Sequence, residues 1–278
     1  MKSRQQVLGQ NFLKHTPTIE KIITSVRHRL EQDRKRGIAP KAILEVGPGA
    51  LALTKTLAKI AADEKLDFVI VERDRFLEEG IRTGLPQAEV HFFDAATEKL
   101  AELFDQLRSR GSTPILFVSN LPYSAASQIL AAVCKRIELL SSAVVMVQKE
   151  MAQRIIAPEK SEHRGSFSLF MQSYFAPKIL FDVPPGAFSP PPKVMSTVLD
   201  LVPLEKTVLD RIEQPLEFEK FCKKLFSQRR KMIRNSLNLP KTGPLPDAFA
   251  KLGINGTERA EVLDFETVLQ LYLASGGK

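Results

Sequence analysis

Four consecutive residues, Asn120-Leu121-Pro122-Tyr123, combine two hydrogen-bond acceptors with an aromatic ring. The side-chain oxygen of Asn120 and the carbonyl of Leu121 could accept the two protons of an exocyclic amino group and favour a pyramidal nitrogen. Pro122 fixes its own φ and restricts the residue before it, which orients the Leu121 carbonyl. The ring of Tyr123 offers a face for a base, and such stacking is worth roughly 1–3 kcal/mol. Taken alone, the tetrapeptide is typical of a turn after a strand; as a site, it suits the amino group of adenine.

A glycine-containing turn lies upstream, in Glu45-Val46-Gly47-Pro48-Gly49, between an apolar run and a helical pattern. Glycine lets the backbone approach a ligand closely, and a helix N-terminus offers free N–H groups. A dinucleotide site is disfavoured because Ala50-Leu51-Ala52 follows where its third glycine would stand. On its own, the turn leaves a nucleotide site and a purely structural turn both open.

Two acids end the next two predicted strands. Glu72 could accept both hydroxyls of a ribose, a short charged contact, and Asp94 could accept the amino group of a cofactor's adenine. One such acid is often only solvated, but a glycine turn and two acids on three successive strand ends indicate one site. Acids also suit a cofactor that carries a sulfonium cation, so we expect S-adenosyl-L-methionine as the methyl donor.

Methyl transfer from sulfonium to nitrogen depends on alignment more than on a general base. The chain offers no catalytic triad and no metal-binding pattern, and we expect no metal. Its cysteines, Cys134 and Cys222, make no metal or redox motif, and a buried thiol is the simpler interpretation of each. Its four scattered histidines are interpreted as surface or core residues; they are His15, His28, His91 and His163.

Between Ala42 and about Asp200, short apolar runs alternate with helical stretches. This alternation predicts a parallel sheet covered on both faces, with ligands beyond the carboxyl ends of its strands. The predicted strands span 42–46, 67–72, 88–93, 114–119 and 143–147, with extended segments from 178 to 201. A helix is predicted over 17–36, and the pattern after Pro203 is helical.

The chain carries a net charge of +8, and the excess lies at its ends. Residues 1–41 have a net charge of +7, residues 42–204 of −2 and residues 205–278 of +3. Basic ends around a near-neutral middle favour contact with a polyanion, although solubility alone explains a basic protein about as well. No apolar run is long enough to span a bilayer, and residues 1–6 are polar. We expect a cytoplasmic protein without a membrane partner.

Residues 220–234 contain seven basic residues and no acid. If they form one helix, six of these cover about one third of its circumference, opposite an apolar face that includes Phe221 and Leu225. We predict that this stripe binds RNA phosphates, with a merely solvated face as the alternative. The six are Lys220, Lys223, Lys224, Arg230, Lys231 and Arg234. Arg229 falls among the apolar positions, and we expect it to be structural.

Several segments, in this order and spacing, resemble the KsgA-type (RsmA) ribosomal RNA adenine N6-dimethyltransferases. The resemblance runs over nearly the whole chain, and no single segment carries it. Besides the turn, Asp94-Ala95 and the tetrapeptide, the matching segments are 9–13 (GQNFL), 148–150 (QKE), 187–194 (AFSPPPKV) and 228–237 (QRRKMIRNSL). Two departures lie at the predicted pocket: Ser124, where relatives often have asparagine, and Arg73, where a small apolar residue is expected.

The resemblance implies an α/β fold, a seven-stranded Rossmann-like class I methyltransferase domain with a small all-α C-terminal domain. We place these domains at 1–203 and 204–278, the second as an rRNA-binding domain. It implies that Asn11 and Leu13 close over the cofactor with Gly47, Glu72, Asp94 and Asn120. It also implies that Phe188 stacks on the target base opposite Tyr123.

The implied substrate is a pair of adjacent adenosines in a hairpin loop near the 3′ end of 16S rRNA, in the 30S particle. Each would receive two methyl groups, with a role in subunit biogenesis, and we expect the enzyme to act as a monomer. One alternative is a macrolide-resistance type enzyme that methylates adenine N6 in 23S rRNA. Another is a ribosome-assembly factor that acts mainly by binding. A nicotinamide-dependent oxidoreductase is more distant, since the third glycine is missing.

Overall fold

A computed structural model describes residues 11–228, 231–237 and 244–278, which fall into two compact units. The first unit contains residues 11–152 and Lys178–Pro203, and the second contains Gln153–Pro177 and the described residues from Leu204 to Lys278. The boundary predicted at 203/204 is also a boundary between these units. Residues 153–177, which the sequence assigned to the methyltransferase domain, group instead with the C-terminal helices.

The first unit is built on a seven-stranded sheet, which confirms the predicted fold class. Its strands are β2 (Ala42–Val46), β3 (Asp67–Glu72), β4 (Glu89–Phe92), β5 (Ile115–Asn120), β6 (Leu140–Gln148), β7 (Phe175–Val183) and β9 (Ser196–Pro203). Their order is β4-β3-β2-β5-β6-β9-β7. Neighbouring strands from β4 to β6 are parallel, whereas β9 is antiparallel to β6. All five residues of β2 are buried, as expected for a central strand covered on both faces.

Helices connect these strands. They are α1 (Thr16–Lys35), α2 (Thr54–Asp63), α3 (Glu78–Gly84), α4 (Lys99–Ser109) and α5 (Ala126–Cys134), followed by α6 (Lys149–Ile156), which crosses into the second unit. Helix α1 buries Ile22, Val26 and Leu30, which are four residues apart and therefore share one face. They belong to the same hydrophobic cluster as Ile43 of β2 and Leu57 of α2. This packing holds the glycine turn between β2 and α2 against a rigid layer.

A second, two-stranded sheet joins distant parts of the first unit. Strand β1 (Phe12–Leu13) pairs antiparallel with β8 (Phe188–Ser189), with Leu13 opposite Phe188. Leu13 is 5% exposed and Phe188 is 1% exposed, and both belong to the main hydrophobic cluster. Strand β1 is therefore held in place by pairing with a strand that lies about 176 residues later in the sequence.

In the second unit, α7 (Ser166–Gln172) is accompanied by α8 (Pro215–Leu225), α9 (Ile233–Ser236), α10 (Pro244–Lys251) and α11 (Phe265–Ala274). Arg164 explains why residues 153–177 belong here. It is 1% exposed and donates to the carbonyls of Ala157 and Leu263 at 3.1 and 3.0 Å. A guanidinium buried this deeply is stable only when its donors are satisfied, so these bonds join the two segments.

Candidate active site

A cavity of about 370 Å³ lies at the carboxyl ends of β2, β3, β4 and β5. Ligands bind parallel sheets at this edge, and the volume falls within the ~300–1,000 Å³ typical of small-molecule sites. The structure brings together here nine residues that the sequence singled out. They are Asn11, Leu13, Gly47, Glu72, Asp94, Asn120, Leu121, Pro122 and Tyr123.

The glycine turn forms one wall of the cavity. Gly47 and Gly49 have φ values of +72° and +51°, in the left-handed region that glycine adopts without strain. A Cβ at Gly49 would lie only 2.9 Å from the ring of Phe12, a side chain of β1 that also lines the cavity. The turn and β1 are therefore in close contact, and a side chain at position 49 would displace the aromatic ring.

Glu72 ends β3 with its carboxylate held by backbone N–H groups. Its Oε1 accepts from the N–H of Arg73 at 2.7 Å and of Asp74 at 2.8 Å, and its Oε2 accepts a longer bond of 3.4 Å from Gly49. Burial raises the pKa of Glu72, and these backbone donors oppose that rise. The weakly held Oε2 leaves Glu72 able to accept a further hydrogen bond from a ligand.

Asp94, two residues beyond the end of β4, is half-buried and has its two oxygens in different surroundings. Its Oδ1 accepts from the N–H of Ala96 at 3.0 Å, which fixes the carboxylate plane. Its Oδ2 lies 3.3 Å from the guanidinium of Arg73, which is 66% exposed. Arg73 therefore places a cation beside the carboxylate at the rim of the cavity.

Asn120 and Leu121 leave β5 at the centre of the sheet edge. The Ser119 hydroxyl donates to the Val46 carbonyl at 2.6 Å, joining the ends of β5 and β2. Leu121 is 1% exposed, and its N–H donates to the Met146 carbonyl at 3.1 Å. With its side chain and N–H both held, Leu121 presents its carbonyl from a fixed backbone position.

Tyr123 is hydrogen-bonded to β9, the strand that runs antiparallel to β6. Its hydroxyl lies 2.6 Å from Oγ of Ser196, the first residue of β9. Burial raises the pKa of the phenol, against the opposing effect of this hydrogen bond, so the ring is neutral at physiological pH. The bond fixes the orientation of the Tyr123 ring, and Tyr123 also lines the cavity.

Phe188 is not where the sequence predicts it. The side chain is 1% exposed, packs in the hydrophobic cluster under β1, and does not line the cavity. A ring buried in this way presents no face to a base. The predicted stacking of Phe188 opposite Tyr123 is therefore not met in this structure, because strand pairing between β1 and β8 draws the residue into the core.

The predicted basic helix is also corrected. Helix α8 ends at Leu225, and a separate short helix, α9, begins at Ile233. Lys220 and Lys223 form ion pairs with Glu217 at 2.7 Å and Glu219 at 2.6 Å, acids that lie just outside the acid-free segment. Residues on two helices do not form one stripe, and two of the six positive charges are partly compensated.

The remaining basic residues fall into two groups. Lys224, Lys231 and Arg234 are exposed, as an RNA-binding role requires. Arg229, with its predicted structural role, and Arg230, with its predicted RNA contact, lie outside the described residues.

Sequence reasoning missed two contributors to the site, Glu45 and Ser196. Glu45 belongs to the glycine-containing motif Glu45-Val46-Gly47-Pro48-Gly49, in which only the glycines were expected to contact a ligand. An acid inside an otherwise apolar strand could have marked it as functional. Ser196 has no comparable signal, because only the pairing of β9 with β6 brings it near Tyr123.

Within residues 11–228, 231–237 and 244–278, no group of histidine, cysteine and acidic residues could hold a metal ion. Within the same residues, no helix has both the length and the apolar character needed to cross a bilayer.

Comparisons with known proteins identify the family. The family model described as ribosomal RNA adenine dimethylase matches residues 1–274. The chain is 36% identical over 256 residues to the ribosomal RNA small subunit methyltransferase A of Acinetobacter baylyi, which covers 92% of this chain and 86% of the relative.

Two solved structures share the fold over 95% of this chain. One is a dimethyladenosine transferase from Plasmodium falciparum, with a TM-score of 0.72 and 21% identity over 97% of its length. The other is the 23S rRNA methyltransferase ErmE, with a TM-score of 0.62 and 22% identity over 99% of its length. The resemblance inferred from the sequence is thus confirmed: the chain belongs to the ribosomal RNA adenine dimethylase family and is an S-adenosylmethionine-dependent methyltransferase that acts on rRNA.

Proposed function

We propose that this chain dimethylates N6 of two adjacent adenosines in a hairpin loop near the 3′ end of 16S rRNA. One observation carries the proposal: a single cavity joins the glycine turn, two acids and the Asn120-Leu121-Pro122-Tyr123 element. The choice of the small subunit is supported by the name and the 36% identity of the Acinetobacter relative. Action on the 30S particle, as a monomer in the cytoplasm, belongs to the same proposal.

The residues of the cavity fit S-adenosylmethionine. The site is rich in acids, as a cationic cofactor requires, and its glycine turn lets a ligand approach the backbone. In this proposal Glu72 accepts the ribose hydroxyls, Asp94 accepts the adenine amino group, and Gly47 contacts the cofactor through its backbone. Asn11 and Leu13, on or beside β1, close the cavity over it.

When bound, the cofactor supplies a methyl group made electrophilic by its sulfonium. The chain's own contribution lies in holding the acceptor. The Asn120 amide oxygen and the Leu121 carbonyl accept the two N–H protons of the adenine amino group, which localises the nitrogen lone pair. Pro122 restricts the Leu121 backbone, and Tyr123 stacks on the base. Alignment of this kind accounts for the rate without a general base.

Phe188 has no base-stacking role in this proposal, because its side chain is buried. RNA contacts are assigned to Lys224, Lys231 and Arg234 on the strength of their exposure, with Lys220 and Lys223 contributing less because glutamates neutralise them. Arg230 is included on sequence alone.

Two alternatives keep specific support. Fold likeness to a 23S rRNA methyltransferase is compatible with a large-subunit target, and basic surface residues are compatible with an assembly factor that acts by binding. A 23S rRNA methyltransferase would methylate the large subunit instead of the small one. An assembly factor would bind the subunit without methylating its RNA.

The test is to incubate the protein with labelled S-adenosylmethionine and either 30S subunits lacking the dimethyladenines or 50S subunits. The RNA is then digested and the labelled nucleoside identified. We expect N6-dimethyladenosine from 30S subunits only, formed far more slowly by the matched Asn120→Ala variant. Label confined to 50S RNA, or tight 30S binding without label, would overturn the proposal in favour of the first or second alternative.

A further inference from the structure

Glu45 is a buried carboxylic acid among the residues that line the cavity, and one of its two oxygens has no hydrogen-bond partner among the described residues. It is 2% exposed, lies on the central strand β2, and is among the residues that line the cavity. Its Oε1 accepts from the hydroxyl of Thr54, the first residue of α2, at 3.1 Å. Its Oε2 is buried and has no hydrogen-bond partner among the described residues.

An orphaned buried oxygen is expensive if the group is ionised, because neither water nor a donor stabilises the charge. Glu45 contrasts with Glu72, whose carboxylate accepts from three backbone N–H groups. Burial raises the pKa of Glu45 to about 8, Thr54 opposes the rise, and the neighbouring charge of Glu72 adds to it. Glu45 therefore holds a proton near neutral pH.

The other charged groups around Glu45 do not compensate its charge. On β3 and the turn after it, the cavity is bordered by Glu72, Arg73, Asp74 and Arg75, and after β4 by Asp94. Arg73 pairs with Asp94, and Arg75 lies 3.5 Å from Glu78 on α3, so both cations have acidic partners elsewhere. From α2, the residue that faces Glu45 is the uncharged Thr54.

We infer that Glu45 releases a proton when the cationic cofactor binds, and that its carboxylate becomes the buried counter-charge to that cofactor. The O–H bond of the Glu45 carboxyl breaks, the proton passes to bulk solvent, and no other covalent bond changes. A positive charge placed in a low-dielectric cavity favours the ionised form of a nearby acid. Glu45 then acts by binding and positioning the cofactor. This inference rests on the use of S-adenosylmethionine and is independent of the rRNA target.

The expected result is a linkage between cofactor affinity and pH. Because the empty site holds the proton and the filled site does not, affinity increases as the pH rises and levels off above about pH 8. Below that value the slope approaches about tenfold per pH unit, the limit for one released proton. The α-amino group of the cofactor also titrates, so the effect of Glu45 is the difference between the wild type and a variant that cannot ionise.

The experiment is calorimetric titration of the full chain with S-adenosylmethionine in buffers of different ionisation enthalpy, such as phosphate and Tris. The dependence of the binding enthalpy on the buffer gives the number of protons released. At about pH 7 the wild type should release about 0.9 proton more than Glu45→Gln, and at about pH 8 about half a proton more. Thr54→Val, which removes the hydrogen bond that the Thr54 hydroxyl donates to the Glu45 carboxyl but keeps the carboxyl, should still release the proton. Equal proton release by wild type and Glu45→Gln would overturn the inference.

If Glu45→Gln does not fold, infrared difference spectroscopy of the wild type replaces it. Adding cofactor at about pH 7 should remove the band of a protonated carboxyl and increase the carboxylate band; spectra without this loss would overturn the inference. Both measurements report binding alone. A chain that releases the proton but methylates no 30S RNA would therefore contradict the proposed target and leave this inference intact.

Discussion

The guanidinium of Arg73 lies 3.3 Å from Oδ2 of Asp94. Oδ1 of Asp94 also accepts from the Ala96 N–H. In the binding mode proposed above, where Asp94 accepts the adenine amino group, Arg73 therefore competes with the cofactor for Oδ2. The Arg73–Asp94 ion pair is exposed enough for solvent to screen it, so this competition is weak.

Arg73→Leu should therefore strengthen cofactor binding by roughly two- to fivefold at low salt, the range expected for an exposed ion pair. The advantage should shrink as ionic strength increases, because salt screens the pair. Titration calorimetry at several salt concentrations measures both effects. Arg82→Leu is the matched control: it removes another exposed arginine, paired with Glu78 at 2.9 Å, that does not line the cavity. Weaker binding by Arg73→Leu at every salt concentration would mean that the arginine contacts the cofactor itself.

Phe188 should behave as a core residue. Phe188→Ala should lower the free energy of unfolding by about 3–5 kcal/mol, because it leaves a cavity under β1. Phe188→Leu should cost less and should keep the KM for rRNA close to that of the wild type. Chemical denaturation and steady-state kinetics check the two parts. If the leucine variant were stable but captured rRNA poorly, the aromatic face would be needed, and stacking by Phe188 would be restored as the better explanation.

Asn120→Ala should lower kcat by about a hundredfold, the scale of losing alignment at the reacting atom. The cofactor Kd should change by less than about tenfold, since at most one hydrogen bond to the cofactor is lost. Asn120→Asp, which keeps an acceptor oxygen, should recover part of the turnover. Single-turnover rates and calorimetric binding separate the two effects. Loss of cofactor affinity with unchanged kcat would remove Asn120 from the acceptor site.

Glu45 should make the stability of the cofactor-free protein depend on pH. Its pKa is about 8 in the folded protein against an ordinary value of 4.5 for glutamate, so the folded state holds the proton more tightly. Its stabilising contribution is complete below about pH 4.5 and is lost as the pH rises through about 8. Burial also raises the pKa values of Glu72 and Asp200, so the contribution of Glu45 must be isolated by comparison with Glu45→Gln. Urea denaturation of both proteins across this range is the measurement, and parallel curves would contradict the expectation.

Lys224→Gln should weaken rRNA binding more than Lys220→Gln. Lys220 is held by Glu217, whereas no ion pair of Lys224 is found in the described part of the chain. Removing one phosphate contact should reduce the slope of log affinity against log salt by about one. Filter binding at several salt concentrations gives the slope for each variant. Equal, negligible effects of both substitutions would favour a merely solvated surface.

Local pattern was sufficient for the sheet and for most of the cavity. Buried strands such as Ala42–Val46 are apolar apart from single residues such as Glu45, and parallel topology gathers their carboxyl ends at one edge, so Gly47, Glu72, Asp94 and Asn120 converge as predicted. These residues lie at most two positions from a strand end, where local sequence determines both the strand and its termination.

The errors arise where distant segments meet. Phe188 is buried because β8 pairs with β1, and the sequence around position 188 does not indicate that residues 12 and 13 are its strand partner. Residues 153–177 leave the first unit because Arg164 bonds to the Leu263 carbonyl, 99 residues away. The predicted basic helix ends early, at Leu225. The next residue, Phe226, is buried, and its backbone N–H donates to the Cys222 carbonyl in the last turn. Such contacts depend on tertiary packing, which periodicity does not encode.

The pairing of β1 with β8 also sets an order of events during synthesis. A ribosome makes residues 12 and 13 long before residues 188 and 189, so the strand that covers the glycine turn has no partner while most of the first unit emerges. The nascent chain can assemble β2 to β5, with their acids and the Asn120 element, before β1 has paired with β8. In the proposed binding mode, where Asn11 and Leu13 close over the cofactor, that closing segment gains its strand partner only after translation has passed Ser189, so the methyl-donor site is completed late in the synthesis of this unit.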